Sequence, residues 1–309
     1  MNLNDEVICG YLVTKEQKQV NQVFLELLQE FDRLCKVHGF QYYMQFGGLI
    51  GAIRHKGFIP WDDDIDLVVP RKDFDRLATM TQEELGAKSP YFLQNPVTDP
   101  GNIGTLIRFR RSDTTSIRNY DWTEIQRTKS GAPYNMGIGL ALFPLDNYPK
   151  GKLAQKLQLK ASSTLSAILF RAYRPARENP IRWLICRIPV SILGYKNFFM
   201  LRHLPYRMCR KNRSGFVQSL HGLYDQSTLY HEEDFKEIVM LPFEDCTVPA
   251  PAGYDRVLRV TYGDYTQFPP EEHRHPPHGE LVSCDIPYTE MVEKLRSGEV
   301  STPEEWHLT

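Results

Sequence analysis

GGLIGAIRHKGFIPWDDDIDLVVPR, residues 47–71, decides how the centre of this chain folds. Ile65 to Val69 is rich in β-branched and apolar residues and predicts a strand. Pro70 closes it, and RKDFDRLATM after it reads as the start of a helix. On the other side, the aromatic run Phe40 to Phe46 predicts a second strand. Gly47 and Gly48 break that strand, and LIGAIRH has the look of a short helix. The unit is strand, glycine turn, helix, strand, helix.

Working outward, residues 15–38 place Val20, Phe24, Leu27, Leu28, Phe31, Leu34 and Cys35 at three- and four-residue spacings. That is one face of an amphipathic helix, and Gly39 supplies its stop. Residues 103–109 and 138–143 read as further strands, with Pro144 closing the latter. Residues 150–213 read as mostly helical, broken at Pro175, Pro180 and Pro189, and residues 214–309 are richer in proline and acids. The expected fold class is α+β, a mixed sheet flanked by helices. Its expected parts are a core over 1–149, a basic helical insertion over 150–213 and a C-terminal region over 214–309 packing on the core.

The 309 residues are enough to bury a sizeable core. With 41% hydrophobic and 24% charged residues, the composition excludes a disordered chain as the default. Net charge is −1, but it is unevenly spread. Residues 150–213 carry fifteen Lys and Arg against one acid, Glu178, which leaves the rest of the chain acidic. Such a basic block suits phosphate, nucleic acid or anionic lipid. The cysteines at 9, 35, 186, 209, 246 and 284 form no CxxC pair, so reduced thiols and a cytoplasmic location are expected. The polar, acidic start MNLNDEVICGYLVTKEQ is unlike a signal peptide, and no run of about eighteen apolar residues predicts a spanning helix.

The chemistry lies in the acids and glycines of residues 47–71. Asp64 and Asp66 are two apart on a predicted strand, so their side chains share a face at roughly 7 Å backbone spacing. They are candidate ligands for one hard cation, Mg²⁺ or Mn²⁺, of the kind usually shared with substrate phosphates. Asp62 could join that side or orient a ligand, while Asp63 should face away if the strand starts that early. Four acids within five residues repel one another, and a cation offsets the repulsion. Gly47 and Gly48 leave room for phosphate at a helix start, and Arg54, His55 and Lys56 could neutralise its oxygens. Each element has a bland reading taken singly: a turn, a solvated face, surface charge. Their joint occurrence within twenty-five residues favours a phosphate and metal site.

Other signals are weaker. Arg108 and Arg110 share a strand face and could grip a diphosphate, with Arg111 beside them, or they could guard an exposed edge. His273, His275 and His278 with Cys284 suggest zinc only loosely, because the spacing is irregular and prolines intervene. Tyr262-Gly263-Asp264-Tyr265 reads as a turn with packing tyrosines, or as a nucleotide contact. The basic block interleaves aromatics, which fits either a solvated helical subdomain or a membrane-surface helix. No nucleic-acid module accompanies it, so no nucleic-acid partner is expected.

GGLIGAIRHKGFIPWDDDIDLVVPRKDF resembles the signature of the LicD family of phosphotransferases, whose relatives include fukutin and fukutin-related protein. LLQEFDRLCKVHGFQYYMQFGG, ALFPLDNYP and LPFEDCTVPAPAGYDRVLRVTYGDYTQFPPEEH are similar to further blocks of that family. Residues 150–235 match poorly. The resemblance implies a nucleotidyltransferase-like fold, a CDP-alcohol donor such as CDP-choline or CDP-ribitol, release of CMP, and a glycan or lipid-linked saccharide acceptor. It places the metal on Asp64 and Asp66 and the turn on Gly47 and Gly48. Peripheral membrane contact through 150–213 would suit a lipid-linked acceptor.

One position departs from the family pattern. Where members carry the first acid of a D-I-F-P-L-D block, this chain has Ala141, although Asp146 remains. Asp62 or Asp146 could substitute as the third catalytic acid. Alternatively, the protein could be a weak or inactive membrane-surface relative, or the alanine could be engineered. A nucleotidyltransferase that releases pyrophosphate is the other enzymatic reading.

Overall fold

The computed structural model describes residues 2–86, 89–102, 106–173, 180–219, 229–276 and 280–301. Strands β1 (Glu6–Ile8) and β2 (Tyr11–Val13) form a hairpin ahead of helix α1 (Lys15–His38). The Thr14 hydroxyl caps α1 by accepting from the Gln17 amide at 3.3 Å. Gly39 ends the helix at φ 65°, a left-handed turn that glycine adopts without strain. The buried face of α1 carries Phe24, Leu27, Leu28, Phe31, Leu34 and Cys35, the stripe that the spacing predicts.

There follow β3 (Tyr43–Gln45), α2 (Phe46–Arg54), β4 (Asp66–Pro70), α3 (Arg71–Leu77) and β5 (Tyr91–Gln94). Next come β6 (Ile107–Arg111), β7 (Thr115–Arg118), α4 (Asn119–Arg127) and β8 (Ile138–Asn147). The strand expected at 103–109 starts at Ile107, and residues 103–105 lie outside the described residues. The glycine turn shifts too. Strand β3 stops at Gln45, the bend falls at Phe46, and both glycines lie in the first turn of α2.

Helices α5 (Lys152–Tyr173), α6 (Pro180–Leu193), α7 (Tyr195–Arg202) and α8 (Leu204–Met208) make up the basic block. Pro175 lies outside the described residues. Pro180 opens α6, and α6 runs through Pro189 at the loss of one ladder hydrogen bond. The break comes instead at Gly194, with φ 73°.

The C-terminal region adds β9 (Phe216–Ser219), β10 (Leu229–His231), the hairpin β11 (Ile238–Phe243) and β12 (Cys246–Pro251), and α9 (Tyr254–Tyr262). It ends with β13 (Glu280–Ser283), which pairs with β7, and α10 (Tyr288–Ser297).

Seven of these strands form one mixed sheet among the described residues, in the order β10-β9-β8-β4-β3, with β6 also on β8 and β5 on β6. Only the β4–β8 pair in it is parallel. Helix α1 covers β6 and β8, where Phe31 meets Phe109 at 5.4 Å between ring centres. The C-terminal region therefore does more than pack on the core, because β9 and β10 extend its sheet.

Pro144 does not close β8. On one side it pairs in parallel register with Val69. On the other side, β6 pairs with residues 138–142 and β9 with residues 145–147. Pro144 falls in the gap between those two partners, where the missing N–H is tolerated.

Asp146, near the end of β8, was a candidate catalytic acid, and the structure corrects that reading. It is 1% exposed and takes both arms of Arg71, with Nε to Oδ1 and Nη2 to Oδ2 each at 2.6 Å. It lies five residues beyond Ala141, about 16 Å along the strand, and the odd step turns it to the opposite face. Burial and charge pairing make it a structural anion. Asp146→Asn should take the bidentate partner from buried Arg71, leaving it the longer contact to Asp75 at 3.2 Å, and lower unfolding stability by about 3 kcal/mol, measured by denaturant titration. A stable variant with abolished turnover would restore the catalytic reading.

Candidate active site

Register brings the site together. Asp66 on β4 pairs with Ala141 on β8, and Ala141 pairs with Arg108 on β6. Side chains in one row across a sheet share a face. Asp66 and Arg108 therefore stand on either side of Ala141, about 10 Å apart at the backbone by ordinary strand spacing. A cavity of about 370 Å³ opens over this row. Asp62, Asp64 and Asp66 line one wall, and Arg108 and Arg118 supply the opposing charge. Gly139, Ala141 and Phe143, alternate residues of β8, lie along it, and Tyr262 at the end of α9 closes the rim.

The bend that feeds this cavity is strained. Phe46 holds φ 49°, a left-handed conformation that costs a bulky side chain about 1–3 kcal/mol. Its ring packs edge-on against Phe143 at 5.6 Å between centres, and both rings line the cavity. Gly47 must lack a side chain, because a Cβ there would sit 2.2 Å from Oδ2 of Asp62. The two glycines thus divide their work. Gly47 gives space to a site carboxylate, whereas Gly48 backs onto the Met44 sulfur, which a Cβ would meet at 2.5 Å.

The electrostatics are those of a crowded acid cluster. Desolvation holds the Asp66 carboxyl well above the usual range, and the charges of Asp64 and Asp62 raise it further. Arg108 and Arg118 oppose that rise. Desolvation and the carboxylates of Asp66, Asp62 and Asp64 likewise raise the Tyr262 hydroxyl. Behind the arginines, Asp121 is raised by burial and accepts from the Arg118 amide at 2.8 Å and from the Tyr134 hydroxyl.

These residues fit a hard divalent cation. Carboxylate oxygens of Asp62, Asp63 and Asp64 lie within 4.8 Å of one another, a trio without Asp66; Asp63 does not face away as expected, because β4 begins only at Asp66, although it does not line the cavity. Gln45, paired with Asp66 and 1% exposed, has an amide oxygen without a hydrogen-bond partner among the described residues, while its Nε2 donates to the Tyr230 hydroxyl at 3.1 Å. An oxygen-only donor set of carboxylates suits magnesium or manganese and disfavours softer metals.

Three expected phosphate contacts lie elsewhere. Arg54 donates through Nη1 to the Tyr265 and Gln267 carbonyls, each at 3.0 Å, and stacks over Phe268. His55 stacks on Phe268 at 5.7 Å, and burial with the neighbouring Arg54 charge lowers its pKa to about 4. Lys56 is exposed at a turn with φ 59°, where its carbonyl accepts from the Glu244 amide at 2.7 Å. None of the three lines the cavity, and together they tie α2 to the C-terminal region. Arg110 is buried, donating from Nε to Gln94 at 2.6 Å and from Nη1 to the Gly137 carbonyl. Arg111 turns to Glu26 and Asp113.

Tyr262 is at the cavity, whereas Tyr265 is a packing residue bonded to Asp255 at 2.8 Å. His273 and His275 are exposed, and His278 lies outside the described residues. Among the described residues, no His or Cys cluster with metal-binding geometry forms around Cys284. Arg118 is the site residue the sequence reading missed. Its only signal is the alternation Thr115, Ser116, Ile117, Arg118, which nothing in the primary sequence links to the acids.

Comparison with known proteins shows the family. Residues 39–130 match the family described as LicD/FKTN/FKRP, nucleotidyltransferase domain. The lipopolysaccharide cholinephosphotransferase LicD of Haemophilus influenzae is 30% identical over 280 residues, covering 86% of this chain and 96% of that protein. Uncharacterized proteins of Rickettsia prowazekii and Rickettsia typhi are 30% identical over 73 residues, which is 24% of this chain and 26% and 23% of theirs. The mixed sheet, the acid strand and a relative matched over nearly its whole length make this chain a member of the LicD family of phosphotransferases.

Proposed function

We propose that this protein transfers a phosphocholine-like phospho-alcohol from a CDP-alcohol donor to a hydroxyl of a cell-surface glycan or lipid-linked saccharide. One observation carries the reading: three acids at alternate positions, Asp62, Asp64 and Asp66, face two arginines across a single cavity. Acids on one wall and guanidinium groups on the other match a nucleoside diphosphate bound with a cation. The near full-length similarity to a lipopolysaccharide cholinephosphotransferase favours phosphocholine as the transferred unit.

In this proposal Asp64 and Asp66 hold Mg²⁺ or Mn²⁺, with Gln45 beside them. The ion, when bound, neutralises donor phosphate charge. Arg108 and Arg118 grip the diphosphate and orient the distal phosphorus. The acceptor oxygen attacks that phosphorus in line, and its proton passes to Asp62. The bond to the bridging oxygen breaks, and CMP leaves with the electron pair. Asp62 takes the role of the missing acid because it lines the cavity next to Asp64, whereas Asp146 is locked to Arg71. Catalysis rests on positioning and charge neutralisation.

Incubation with CDP-choline, Mg²⁺ and a lipopolysaccharide acceptor should release CMP in step with choline phosphate gained by the acceptor. Pyrophosphate release from CTP would instead establish a nucleotidyltransferase.

Asp62→Asn, Asp64→Asn and Asp66→Asn should each lower turnover by on the order of a hundredfold or more. Ala141→Asp should change it less than about tenfold, since Asp62 already serves. A large gain from Ala141→Asp would show that the alanine disables the enzyme.

Crowded charge also predicts a stability effect. In chelator, Asp66→Asn should melt about 1–2 °C above the unsubstituted protein, because it removes a desolvated, repelled carboxylate worth about 1 kcal/mol. Added Mg²⁺ should raise the melting temperature of the unsubstituted protein and not that of the variant, as followed by calorimetry.

A further inference from the structure

Helix α6 has its polarity reversed. Its inner face buries Cys186 and Val190. Its outer face is a stripe of Ile181, Ile185, Ile188 and Ile192, exposed by 71%, 62%, 49% and 77%, with Leu184 beside it. The steps of four, three and four residues hold these side chains on one side of the helix. A solvated helix face normally carries charge, and isolated exposed apolar residues need no explanation, whereas a continuous stripe does.

The charges around the stripe identify what covers it. Arg182 is exposed within α6, and Lys196 is exposed just beyond its end. On α5, which packs against α6, Lys152, Lys156 and Lys160 are exposed. Among the described residues of 150–213 there is no acid at all. A second copy of the chain meeting this face by two-fold symmetry would set cations against cations, with no acid among the described residues of this block to pair them. An anionic lipid surface presents the opposite charge and an apolar layer for the stripe.

Helix α6 does not span. Its 14 residues reach about 21 Å, short of a hydrocarbon core of about 30 Å. Helices α6 and α7 are apolar enough to pass as a span only when taken together, and they bend by 102° at Gly194. We infer that α6 lies in the plane of an anionic membrane, with its isoleucine stripe buried below the headgroups and the flanking Lys and Arg among them. This goes beyond phospho-alcohol transfer and is tested by binding alone, so the two readings can fail separately.

The test is flotation of the full-length protein with vesicles of phosphatidylcholine alone or mixed with phosphatidylglycerol. Binding should require the anionic lipid and weaken as salt rises. The exposed-face variant Ile185→Glu/Ile188→Glu should bind about tenfold more weakly or less, because each charge must leave the apolar layer. Ile192→Glu, at the most exposed position, should weaken binding in the same direction with the least risk to folding, which circular dichroism checks. Equal binding to both vesicle types, no binding to either, or unchanged binding by well-folded variants would overturn the inference. So would a dimer in solution that the double variant converts to monomers, because the stripe would then belong to a second copy.

Discussion

Carboxylate crowding at the start of β4 is the constraint on which the site depends. Asp62, Asp64 and Asp66 line a single cavity, and desolvation together with mutual repulsion pushes the Asp66 proton affinity upward. Such a cluster destabilises the fold unless opposite charge is supplied. Arg108 and Arg118 supply part of it from across the cavity. A divalent ion and the phosphates it would bring complete the balance in the proposed complex. Neighbouring features follow from making room for this arrangement: glycine at 47 where a methyl would strike Asp62, a left-handed Phe46, and an alanine between Asp66 and Arg108.

The parallel β4–β8 pair gives the cluster its precision. Its register fixes Ala141 against Asp66, and the antiparallel β6 fixes Arg108 against the same alanine. The position of Ala141 also sets Asp146 apart from the acids of the cavity. A strand offers its two faces alternately, and an odd step along it sends a side chain to the other face. There Asp146 meets Arg71 in a buried pair between the sheet and α3. Asp62 reaches the cavity from the irregular stretch that leads into β4, where Gly47 leaves room for its carboxylate.

Local structure was legible where a single segment carried its own signal. Helix α1 follows its apolar stripe from Lys15 to His38, with Thr14 and Gly39 as caps. The acids of residues 62–66 were visible from spacing alone. Long-range register was not. Nothing in the primary sequence says that β6 and β7 deliver Arg108 and Arg118 to the same cavity, because those contacts depend on pairing across the sheet and on β13. The cations nearest the motif were misleading for the same reason. Arg54, His55 and Lys56 follow the glycines closely in sequence, yet α2 turns them toward Phe268 and Glu244. Pro144 and Pro189 mislead by propensity, since tertiary context leaves each without a needed N–H partner or absorbs the loss.

The most direct test of the central claim is a crystal structure of the protein soaked with Mn²⁺ and a cytidine diphosphate alcohol, read by anomalous scattering. The account predicts a manganese peak about 2.0–2.3 Å from carboxylate oxygens of Asp64 and Asp66, with the donor phosphates directed toward Arg108 and Arg118. A peak elsewhere, or an ordered donor in this cavity with no metal at the two aspartates, would contradict it.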